Sequence, residues 1–115
     1  MIRRLASNGR LSQAVVANGF VFVSGQATEQ PQKNVADQMR DALAGVDAAL
    51  GQAGTDKSRI VLANIVLADI SDYGQMNEVW DAWVDREAPP ERTCHEARVS
   101  AKPYLVEVSV IAATT

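Results

Sequence analysis

Asn18-Gly19 separates two β-prone runs, Ala14 to Ala17 and Phe20 to Val23. A two-residue connection of this kind closes as a type I′ turn, which needs two positive φ angles. Asn and Gly reach that region at the least steric cost. The pair therefore predicts an antiparallel hairpin near the start of the chain, with Ser24-Gly25-Gln26 ending its second strand. From Ala27 to Lys33 the chain is polar, contains Pro31 and reads as a loop.

Beyond the loop the apolar period lengthens. Asn34 is placed to cap a helix, and Asp37 in the first turn suits its positive end. Val35, Met39, Ala42, Leu43, Val46 and Leu50 recur at three- and four-residue spacing, the stripe of an amphipathic helix. Gly51 and Gly54 stop it, with Gly54 expected at C′. Arg59 to Leu67 is rich in Val, Ile and Leu with little alternation, which predicts a central strand covered on both sides. Asp69-Ile70-Ser71-Asp72 offers two N-caps for a second helix, whose stripe is Met76, Val79, Trp80, Trp83 and Val84. That helix must end before Pro89. Two strands complete the chain, Arg92 to Val99 and Leu105 to Ala112, joined by Ser100 to Pro103.

The order is β-β-α-β-α-β-β. It implies an α+β fold over residues 1–115 as one domain, with one mixed sheet and two helices on one face. Val106, Val108 and Val110 share one side of the last strand, and Leu105, Ser109 and Ile111 share the other. With apolar residues on both sides, a partner surface is expected to cover the second face, so an oligomer is predicted.

Composition narrows the function. The 115 residues carry 11 basic and 14 acidic side chains, a net charge of −3. That balance argues against a nucleic-acid partner, which needs a basic face. No signal peptide fits the first residues, and no window approaches a membrane span of about 18 apolar residues. The one Cys cannot form an internal disulfide, and a cytoplasmic location is the default expectation.

The chemistry concentrates near the C-terminus. Pro89-Pro90 resets the backbone, and an alternating segment begins at Arg92. A guanidinium at a strand mouth is suited to gripping a carboxylate with two parallel hydrogen bonds. The competing reading is a surface ion pair with Glu91 or Glu96. Glu107 interrupts the apolar run Leu105-Val106-Glu107-Val108. A carboxylate there can orient water and shuttle protons. The alternative for Glu107 is an ion pair at a subunit contact. Cys94 lies two residues from Arg92 and so on the same face. With no cluster of His and Cys around it, it is not expected to hold a metal or act as a nucleophile. His95, on the opposite face, is expected to pack or to sit at the surface.

In order and spacing, Ser12-Gln13-Ala14, Asn18-Gly19-Phe20-Val21-Phe22-Val23-Ser24-Gly25-Gln26, Gln38, Leu43, Ala53-Gly54, Met76-Asn77, Arg92-Thr93-Cys94 and Val106-Glu107-Val108 match one pattern. Along nearly its whole length the chain resembles the RidA (YjgF-type) enamine/imine deaminases. Met76 to Val84, followed by a short Ala-Pro turn, looks most like the YoaB-like branch. The resemblance implies a chorismate-mutase-like fold and a homotrimer with clefts between subunits. It implies hydrolysis of 2-aminoacrylate and other 2-imino acids to 2-keto acids and ammonia, with no cofactor and no metal. By resemblance Arg92 is the carboxylate clamp and Glu107 the acid–base group. Cys94, through its backbone amide, and Ser24, Gly25 and Asn77 line the pocket. One position departs from the pattern: Leu11 stands where the deaminases usually carry a Tyr whose hydroxyl enters the pocket. That departure points to an alternative, a non-catalytic trimer that binds small carboxylates. An RNA-directed activity, ascribed to some members, ranks last because the chain is acidic.

Overall fold

Asn18 and Gly19 adopt φ angles of 53° and 85°, the pair of positive values that a type I′ turn requires. They close the predicted hairpin in the computed structural model, which describes residues 1–100 and 103–115. The two remaining residues of the predicted linker, Ala101 and Lys102, lie outside the described residues. The elements are β1 (Ile2–Ser7), β2 (Ser12–Ala17), β3 (Phe20–Gln26), α1 (Val35–Gln52), β4 (Ile60–Leu67), α2 (Tyr73–Trp83), β5 (Glu91–Glu96) and β6 (Val106–Ala113). The predicted order is present, and β1 precedes it as one further strand.

The strands form a single mixed sheet in the order β1-β2-β3-β6-β4-β5. Among the described strands only β4 and β5 pair in parallel. Both β3 and β4 are antiparallel to β6 between them, so they run parallel to each other. The crossovers β3-α1-β4 and β4-α2-β5 thus advance across the sheet in one direction. The right-handed rule then sets both helices on the same face.

Helix α1 is capped as its sequence predicts, whereas Asp72 precedes α2 without a side-chain cap bond and Val84 lies just past its end. The Asp37 backbone N–H donates to Asn34 Oδ1 at 2.9 Å, and Gly54 follows the C-cap Ala53 with φ 82°. Asp69 caps a short 3₁₀ turn, Ile70–Asp72, that leads into α2. The buried stripes of α1 and α2 close over Val106, Val108, Val110 and Ala112 of β6 and over Ile60, Ala63, Ile65 and Leu67 of β4. Strand β5 stops at Glu96, short of the predicted Val99, because its pairing partner β4 ends at Leu67.

The other face of the sheet has no cover from any described element. Val15, Phe22, Ile111 and Leu62 pair in sequence across β2, β3, β6 and β4, forming an apolar row. Phe20 and Phe22 are exposed there at 40% and 43%, with their rings 6.5 Å apart.

Candidate functional site

The parallel pairing of β5 on β4 determines where Arg92 points. Arg92 pairs with Ala63 and Cys94 with Ile65, two residues buried beneath the helices. Both side chains therefore turn toward the helical face. There Arg92 meets α2. Its Nη1 donates to Asn77 Oδ1 at 2.7 Å, and its Nη2 donates to the Tyr73 hydroxyl at 2.9 Å. The guanidinium carbon also lies 5.2 Å from the Trp80 ring centre and 5.7 Å from that of Tyr73, within cation–π range.

All of these partners are neutral. Among the described residues Arg92 makes no ion pair. The neighbouring acids are engaged elsewhere: Glu96 Oε2 accepts from the Ile70 backbone N–H at 2.9 Å, and Glu91 Oε1 accepts from the Thr93 hydroxyl at 3.1 Å. The surface ion pair weighed from the sequence is not formed. Arg92 is instead a half-buried cation, held in place with its charge uncompensated. Beside it, burial pushes the Cys94 thiol above its usual 9.0, with the Arg92 charge opposing the rise. The thiol stays protonated near neutrality, which suits packing rather than nucleophilic attack.

Glu107 occupies the opposite face. It pairs with Val66, and Val66 also pairs with His95. Directly opposed residues share a face, and Arg92 lies an odd number of positions from His95. Arg92 and Glu107 therefore project from opposite sides of the sheet. Three positions along β4 and two strand spacings separate their Cα atoms by roughly 14 Å.

Around Glu107 a separate cleft of about 440 Å³ is lined by Gln13, Gly25, Thr28, Ser100 and Tyr104, among others. The Glu107 side chain lies directly across Gly25, where a Cβ would collide with its carboxylate. Pairing of β3 with β6 slips between Val23 and Gln26, placing Ser24 and Gly25 at the irregularity. The Ser24 hydroxyl donates to Gln13 Oε1 at 3.3 Å, and Gln26 Nε2 donates to the same oxygen at 3.0 Å.

One buried side chain secures the walls. Gln38 is fully buried on α1. Its Nε2 donates to the carbonyls of Pro31 and Lys33, and its Oε1 accepts from the Leu105 backbone N–H. The loop after β3 and the entry to β6 are thereby tied to one amide. The buried Thr28 completes that loop by donating to Asp41 Oδ2 at 2.6 Å. This bond, followed by the Lys33 ammonium, holds the Asp41 carboxyl below its usual value.

The chain thus carries two separate candidate sites: a braced cation on the helical face, and a carboxylate cleft on the open face. Residues 1–114 match the family described as Endoribonuclease L-PSP. The structure superposes on a YjgF-family protein of Neisseria meningitidis with a TM-score of 0.96, at 40% identity, covering 100% of this chain and 96% of that one. This chain belongs to the YjgF/RidA family.

Relatives within it include a RutC family protein of Haemophilus influenzae, 37% identical over 96% of this chain and 97% of that protein. The RutC family protein YoaB of Escherichia coli is 35% identical over 97% of each. The expected resemblance to the YjgF/RidA family therefore holds, as does the mixed sheet with two helices, which has six strands where the sequence predicted five.

Of the expected site residues, the structure gathers Arg92, Asn77 and Cys94 on one side, and Gly25 and Glu107 on the other, with Ser24 beside Gly25. Leu11 is 46% exposed and lines neither of these sites. Two residues escaped the sequence reading. Tyr73 opens α2 and reaches Arg92 only because β5 returns beside that helix. Tyr104 brings a phenol into the Glu107 cleft, which Leu11 cannot supply. Among the described residues, no group of three or more His, Cys, Asp or Glu is arranged to hold a metal. No described helix is long and apolar enough to cross a membrane.

Proposed function

We propose that the protein is a homotrimeric, cofactor-independent hydrolase that converts 2-aminoacrylate-type enamines and 2-imino acids into 2-keto acids and ammonia. The observation that carries this reading is the uncompensated charge of Arg92, braced by Asn77, Tyr73 and Trp80. A cation fixed by neutral partners keeps its full attraction for an anion, and the substrate class always presents a carboxylate.

In this reading the apolar open face of each sheet packs against neighbouring copies. Each cleft combines Arg92 of one subunit with Glu107 of the next. The substrate carboxylate binds Arg92. An enamine first takes a proton at C3 to become the iminium. Glu107 then accepts a proton from water as its oxygen bonds to C2. The resulting carbinolamine receives that proton on nitrogen, and as the C–N bond breaks its hydroxyl gives up a proton to solvent, replacing the one taken from solvent at C3, so that ammonia leaves with a 2-keto acid. Tyr104 and Gln13 supply the polar wall of the cleft.

The test supplies 2-aminoacrylate from a dehydratase and follows keto-acid release. Wild type should accelerate release well above the Arg92→Ala variant, which loses about 3 kcal/mol of substrate interaction. Arg92→Lys should not restore the rate, because an ammonium lacks the planar fork. Equal rates for wild type and Arg92→Ala would overturn the hydrolase reading.

A second reading, raised by Leu11 at the position where the deaminases usually carry a Tyr, is a trimer that binds small carboxylates without turning them over. It predicts Arg92-dependent heats of binding for 2-keto acids together with no keto-acid release from imines.

A further inference from the structure

The bond between Arg92 and Tyr73 has a direction. A guanidinium carries only donors, so at 2.9 Å from Nη2 the Tyr73 oxygen is the acceptor. Its own proton is left uncommitted, and no described residue accepts it. Tyr73 is 41% exposed, so that proton is free to turn toward a ligand beside the cation. The guanidinium uses one N–H on Asn77 and one on Tyr73, leaving three of its five for a ligand. A carboxylate offers two oxygens with about four acceptor sites. Two guanidinium bonds leave it able to accept a third.

We propose that Tyr73 is a ligand-binding residue that donates its phenolic proton to the carboxylate held by Arg92, making the clamp a cradle of three donors. The inference rests on the anion-binding reading of Arg92 and adds to it a donor that the sequence does not signal. The hydroxyl sits between guanidinium and anion, accepting from one and donating to the other. Such a relay is cooperative, because each bond polarises the next. It also restricts the site to flat, two-oxygen anions, since the third donor is fixed relative to the fork.

The test titrates 2-oxobutanoate, a keto acid that is not hydrolysed, into the full-length protein by calorimetry at pH 6.5. Trp80 fluorescence serves as a second readout, given its contact with Arg92. Wild type should bind, Arg92→Ala should not, and Tyr73→Phe should bind about tenfold more weakly.

A residue that only positions Arg92 would also weaken binding when its hydroxyl is removed, so a second variant separates the roles. 3-Fluorotyrosine at position 73 is a better donor and a poorer acceptor. Donation to the ligand predicts binding about twofold tighter, whereas a purely positioning role predicts weaker binding. Unchanged affinity in Tyr73→Phe, or weaker affinity with the fluorinated residue, overturns the Tyr73 assignment and leaves the Arg92 clamp standing. Absence of binding by wild type overturns both.

Discussion

Glu107 lies across Gly25, and its carboxylate fills the space a Cβ would need. The sheet can lay an acidic side chain flat at this point only because the residue beneath it has no side chain. Gly25→Ala must therefore push Glu107 aside. Strain of this kind costs about 1–3 kcal/mol. The displaced carboxylate should lower turnover on the order of 100-fold, the usual cost of misplacing a reacting group by about an ångström. Far-ultraviolet circular dichroism and keto-acid release together check this. Full activity in a folded Gly25→Ala protein would remove Glu107 from the chemistry.

Gln38 tests how the cleft walls are held. Its amide serves the carbonyls of Pro31 and Lys33 and the N–H of Leu105, and it is wholly buried. Gln38→Leu leaves three backbone groups without partners. Each such group costs about 1–3 kcal/mol, partly relieved where water enters. A loss of about 3 kcal/mol in urea unfolding is expected, with a fall in Tm of roughly 10–15 °C. A variant as stable as wild type would show that the loop and the entry to β6 are fixed by other contacts.

The two helices and the hairpin were legible in the sequence because each is a local pattern: the stripe from Val35 to Leu50, the cap at Asn34, the Asn18-Gly19 turn. Strand β1 was not. Ile2-Arg3-Arg4-Leu5-Ala6-Ser7 shows no clean alternation, and as an edge strand it buries only part of Leu5. Its arginines suit an edge that must resist further pairing. The candidate site was legible in residue type but not in geometry. Arg92 and Glu107 each stand out within their own strand. Which face each occupies depends on the register of β5 and β6 against β4, and no single strand encodes that. Tyr73 was missed for the same reason, since its neighbour in space is nineteen positions away in sequence.

Cys94 gives a pH prediction. Burial raises its folded-state pKa above the ordinary 9.0, and the Arg92 charge only partly offsets this. A neutral acid with a raised folded pKa contributes stability that is fully present below its unfolded value. That contribution is lost as pH climbs through the folded value. Wild type should therefore lose stability above about pH 9 by more than Cys94→Ala does, as read by urea midpoints across pH. At pH 7.5 iodoacetamide should modify Cys94 at least about tenfold more slowly than an unfolded cysteine peptide. Cys94→Ala should retain turnover. A folded but inactive Cys94→Ala would give the thiol a chemical role.

The opposite-face placement of Arg92 and Glu107 makes the strictest demand on the proposed assembly. If one cleft takes Arg92 from one subunit and Glu107 from its neighbour, two inactive variants can restore each other. Arg92→Ala and Glu107→Gln, refolded together in equal amounts, assemble into mixed trimers. A cleft works only when its arginine comes from the Glu107→Gln chain and its glutamate from the Arg92→Ala chain. Random head-to-tail assembly gives that combination in about a quarter of clefts. Keto-acid release should therefore recover to about a quarter of the wild-type rate, while either variant alone stays inactive. A cleft completed within one chain can recover nothing, because every chain in the mixture lacks one of the two groups.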